Sequence, residues 1–219
     1  MPLAEKELRR AIELNPNYAT AYHWLGNILA SMQRGDEAIA AARRAEELDP
    51  LSLIISADTV WDFVTLRRYD EAIAQSERTL LLDPNFYYVH YLLGQAYYGK
   101  GMYKEAIQAI RKSIELNEDP FAKALLVQAL AKAGDRAEAV KLRDDLKSES
   151  TRRFVPNYVL AMASIALGEK DEAIALLEKD IVDRGNWVSA IAVLPVLDDL
   201  RSDPRFATLV KKVESSKLD

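Results

Sequence analysis

The chain has 219 residues and no cysteine, and its 29 Lys and Arg against 34 Asp and Glu give a net charge of −5. Without cysteine there is no disulfide framework, cysteine-ligated zinc site or thiol nucleophile. Mild acidity leaves no surplus of cations for a nucleic-acid surface, and the longest apolar runs, such as residues 124–131, fall far short of the roughly 18 residues of a membrane span. Residues 1–7 also lack the apolar core of a secretory signal.

In chain order, residues 1–18 read as a helix with Ala4, Leu8 and Ala11 in phase and Pro16 behind them. Residues 19–52 read as a helical hairpin. Tyr22, Leu25, Gly26 and Leu29 make one face at 3–4 spacing, Arg34-Gly35-Asp36 breaks it, and Ala38, Ala42 and Ala45 form a small-residue seam on a second helix. Asp49-Pro50 ends that helix, because proline cannot continue it and restricts its predecessor. Residues 53–86 repeat the design with departures. Val60 stands where the neighbouring hairpins have glycine, and Ser76 and Thr79 stand where residues 19–52 have Ala42 and Ala45. Residues 87–119, 120–153 and 154–187 give three more hairpins. Residues 188–219 leave the pattern. There Asp203-Pro204 starts a helix with Phe206, Leu209, Val210 and Val213 on one face. This tail is expected to cap the last hairpin, with Trp187, Ile191, Leu194, Leu197 and Leu200 supplying contacts.

A period underlies these elements. The alanines at 38, 72, 106, 139 and 173 are spaced 34, 34, 33 and 34, inside the run Asp36-Glu37-Ala38-Ile39 and its four copies. A fixed spacing in the 30s marks stacked supersecondary units.

Tyr22, Leu25-Gly26, Ala38, Ala45 and Pro50, with Leu93-Gly94, Tyr97 and Ala106, resemble the tetratricopeptide repeat. The resemblance implies an all-α, right-handed α-solenoid of stacked helix-turn-helix hairpins with a C-terminal capping helix. It also implies that the chain starts inside a repeat and is expected to be cut from a longer protein. Residues 49–55 with Trp61, residues 67–73 and 90–97, and the ending 200–206 are similar to the tetratricopeptide halves of bacterial winged-helix regulators or serine/threonine kinases.

In that family the first helix of each hairpin lines the concave side. The register then implies a partner-binding groove bearing His23, Asn27, Trp61, Tyr88, Tyr91, Gln95, Tyr98, Phe121, Gln128 and Tyr158. Rings bury large area and amides pair with main chain, so the expected partner is a peptide or protein. Chaperone-binding members use a lysine, arginine and asparagine clamp, of which only Asn27 has a counterpart here. Binding of an acidic chaperone tail is therefore not expected.

Nothing points to catalysis. His23 and His90 fall in different hairpins, Asp58 and Asp62 read as solvated acids, and no phosphate loop or nucleophile elbow occurs. The expected function is a non-catalytic interaction scaffold without metal or cofactor and with a cytoplasmic location. The alternatives are the regulatory half of a larger regulator or kinase, and self-association through the first helix, where Leu8 and Ile12 lack cover.

Overall fold

The computed structural model describes residues 2–183 and 191–216; Trp187, expected among the cap contacts, lies outside the described residues. Among the described residues every regular element is helical. The chain divides into two compact units, Met1–Gly101 and Met102–Asp219.

The first unit holds α1 (Pro2–Leu14), α2 (Ala19–Ser31), α3 (Gly35–Leu48), α4 (Leu53–Thr65), α5 (Tyr69–Leu82) and α6 (Tyr87–Gly99). α2 pairs with α3 and α4 with α5. The first helices also stack, α2 on α4 and α4 on α6. Composition explains which helices go inside. α2 and α6 carry no Asp, Glu, Lys or Arg, and α4 carries only Asp58 and Asp62. A helix apolar around most of its circumference must be covered on most sides. α3 and α5 instead alternate charge with a buried seam: Ala38, Ala42 and Ala45 on α3, and Ala72, Ser76 and Thr79 on α5.

The departures at 53–86 find their reason in this seam. Gly26 lets α3 approach α2 closely, since a Cβ there would lie 3.3 Å from the Ala38 carbonyl oxygen. Val60 takes that place in α4 and is fully buried. The serines and threonine around it are satisfied in pairs. The Ser56 and Thr79 hydroxyls lie 2.7 Å apart, Gln75 Nε2 donates to Ser56 Oγ at 2.8 Å, and Ser76 Oγ donates to the Ala72 carbonyl at 2.8 Å. Buried polar groups are tolerated only when bonded in this way.

The second unit holds α7 (Tyr103–Leu116), α8 (Pro120–Ala133), α9 (Arg136–Ser150), α10 (Asn157–Ala166), α11 (Lys170–Val182), a 3-10 turn (Pro195–Leu200) and α12 (Pro204–Ser216). Asp119 caps α8, accepting from Phe121 N at 2.9 Å with Pro120 at the first helical position. α8 stacks on α10, α10 pairs with α11, the 3-10 turn packs on α10, and α12 packs on α11. Ile191, Leu194, Leu197 and Leu200 are buried in this tail, as are Phe206, Leu209 and Val213 of α12.

A second period appears in the backbone. Residues 33, 67, 101, 134 and 168 all have positive φ, between 59° and 92°. Their spacing, 34, 34, 33 and 34, is that of the alanines, and each closes the turn after a first helix. Glycine fills three of the five; Gln33 and Arg67 adopt the left-handed conformation at the cost of Cβ crowding.

Candidate functional site

The first helices of the first unit meet at a polar junction centred on Asp58. His23 Nε2 lies 2.5 Å from Asp58 Oδ2, Asn27 Nδ2 donates to the same oxygen at 3.3 Å, and the Tyr88 hydroxyl donates to Asp58 Oδ1 at 3.3 Å. One carboxylate thus ties α2, α4 and α6 together. Its neighbour Asp62, one turn along α4, is 1% exposed, and its Oδ1 accepts no hydrogen bond. Burial pushes the Asp62 carboxyl well above its ordinary range, and the nearby Asp58 charge adds to this. Burial likewise raises the Tyr88 phenol, again with Asp58 contributing. The expectation that Asp58 and Asp62 are solvated acids is therefore corrected. Spacing along one helix does not show what two other helices bring to it.

Around this junction lie the rings. Tyr88 and Tyr91 stack with centroids 6.4 Å apart, and His23 stacks on Trp24 at 4.8 Å. Trp61, Tyr88, Tyr91, Gln95 and Tyr98 are half-buried, as is Asn27, whose Oδ1 is buried without a hydrogen-bond partner. His23 is only 6% exposed. It serves the junction rather than presenting a ring to an open groove. His90, at the large-aromatic place of its hairpin, donates from Nε2 to the Pro84 carbonyl at 2.8 Å and so fixes the entry to α6.

In the second unit the predicted groove positions are taken up by the chain itself. Gln128 is 2% exposed and Tyr158 3% exposed. Gln128 Nε2 donates to the Met162 carbonyl at 3.2 Å and to the Val196 carbonyl at 2.9 Å. Lys132 pairs with Asp199 at 2.8 Å, and Val196, Leu197 and Leu200 are buried. Phe121, half-buried, packs on Tyr158 with centroids 6.2 Å apart. Gln128 does pair with main chain, as a groove amide should, but the main chain is the protein's own. Ala124, Met162 and Ile165 on the same two helices are buried as well. Gln128 and Tyr158, expected from the sequence as partner contacts, are thus placed against the chain's own residues.

Among the described residues no group of three His, Asp or Glu side chains is arranged to hold a metal ion, and no helix is long and apolar enough to cross a membrane. Models of the tetratricopeptide repeat match residues 3–33, 19–50 and 87–120. Tetratricopeptide repeats are recognised in the chain. Solved structures agree at the level of fold. A thermophilic tetratricopeptide repeat protein from Thermus thermophilus is 18% identical, with a TM-score of 0.60, over 92% of this chain and 100% of that one. A tetratricopeptide repeat protein from Parabacteroides merdae is 20% identical, with a TM-score of 0.60, over 96% and 84%. YrrB, described as a tetratricopeptide protein with an unusual peptide-binding site, is 23% identical, with a TM-score of 0.51, over 84% and 96%. No curated protein sequence matches the chain. The fold is an all-α solenoid of helical hairpins.

Proposed function

We propose that the chain is a non-catalytic scaffold that binds a peptide or partner protein along the first-helix face of its first unit. The observation that carries this reading is the set of half-buried rings and amides on α4 and α6, Trp61, Tyr88, Tyr91, Gln95 and Tyr98, beside Asn27 of α2. Aromatic anchors with a rim of amides suit peptide recognition. The fold shared with YrrB, a protein whose description names a peptide-binding site, supports the same reading. Trp61→Ala and Tyr91→Ala test it, using peptides selected from a displayed random library. Peptide binding lost at an unchanged melting temperature supports the groove. Lost stability with unchanged peptide affinity assigns the rings to packing alone.

A second reading is self-association, though not at the first helix, where Leu8 and Ile12 pack on the cluster of Leu25, Leu29 and Ala38. Trp24 is 51% exposed, whereas Leu92, which follows Asp58 by the same 34-residue step that separates Asp58 from Trp24, is fully buried. A second copy of the chain covering α2 at Trp24 would make a dimer. Sedimentation over a dilution series decides it: a monomer at high concentration ends this reading.

A further inference from the structure

We propose that the groove of the first unit selects a cationic partner residue, an arginine or lysine side chain of a bound peptide, seated at Asp58 beside the Tyr88 and Tyr91 rings. This deepens the groove reading and rests on it. α2, α4 and α6 together contain no lysine and no arginine, and their only acidic residues are Asp58 and Asp62. A groove that held a carboxylate would need fixed cations there; this one presents the opposite sign. Potential in a cleft with low-dielectric walls is focused rather than screened, so one partly covered carboxylate dominates the local field.

The second observation is the kind of atom left over. Asn27 Oδ1 and Asp62 Oδ1 are buried and accept no hydrogen bond. Asp62 is almost wholly buried and lies one turn from Asp58, and Asn27 already touches Asp58 through its Nδ2. Asp58 itself keeps 14% of its side-chain surface open, and a carboxylate has about four acceptor sites. A guanidinium brings five donors and no acceptor, and an ammonium brings three. Such a head group bonds to the open side of Asp58, and its charge lies against the rings, where a cation is attracted to the π face.

The test is selection on the full-length chain from a random twelve-residue peptide library displayed on phage. Selected peptides are expected to share one position enriched in Arg or Lys over Asp and Glu. Synthetic versions with that position changed to Gln or Glu should bind at least tenfold more weakly. Asp58→Asn should remove the preference, and Asp58→Glu should retain it. The peptide series on the unmodified protein decides the matter even if Asp58→Asn fails to fold. Peptides that bind through Trp61 and Tyr91 but tolerate Glu at every position overturn the cation inference and leave the groove standing. Selection that yields no binder overturns both.

Discussion

In the first unit the polar side chains of the first helices bond to one another; in the second they bond to the chain's own C-terminal segment. Asp58 gathers His23, Asn27 and Tyr88 from two other helices. Gln128 instead reaches across to the Val196 carbonyl, 68 residues on. Hairpins of one pattern therefore differ in what they offer. The difference lies in what stands over these helices: half-buried rings on α4 and α6, and beside α10 the 3-10 turn with its buried Val196 and Leu197.

The largest way to break this contrast is at the tail. Leu197 is fully buried, so Leu197→Ala should cost about 3 kcal/mol, lost transfer energy plus the cavity left behind. Urea unfolding measures it, and amide exchange should show α8 and α10 losing protection with it. A cost near zero would mean that the tail only rests on the second unit. Next is the buried acid of the first unit. The folded-state pKa of Asp62 lies above its ordinary value of 3.8, so the native chain holds a proton that the unfolded chain releases. Its stabilising contribution is complete below about that pH and is lost as pH rises through the folded value. Asp62→Asn should therefore gain stability over the native chain at pH 8 relative to pH 4, in urea melts at both. An unchanged difference between the two pH values would place Asp62 in contact with solvent.

Gln128→Ala removes two hydrogen bonds and leaves the Met162 and Val196 carbonyls without their donor. A loss of about 1–2 kcal/mol is expected, with the first unit's peptide affinity unchanged. Smallest is the turn series. Gly134 and Gly168 have open space where a Cβ would stand, so only backbone strain opposes alanine there. Gly134→Ala and Gly168→Ala should each cost about 1 kcal/mol by thermal melt. Equal stability would show that these turns relax, as Gln33 and Arg67 already tolerate the same conformation.

The helices are legible in the sequence because their signal is local and repeated: one alanine recurs in all five hairpins at 33–34 residue spacing, and Leu-Gly pairs and prolines recur in several of them. The burial of Ile191, Leu194, Leu197 and Leu200 is legible as well, since an apolar stripe outside the period needs a surface to cover. The Asp58 junction is not. Its partners stand 35, 31 and 30 residues away, so only the three-dimensional stack brings them together. A sign of it is nevertheless present, because three consecutive first helices lack any lysine or arginine to answer two aspartates. At Gln128 the sequence indicates the chemistry but misdirects the partner. An amide at a groove position reports that main chain will pass there, but not whose.

Phe206, Leu209 and Val213 are buried and α12 packs on α11, so these apolar side chains are spent within the chain. Head-to-tail fibres need a sticky face at each extremity. Head-to-tail addition at α12 would therefore have to use residues other than these three.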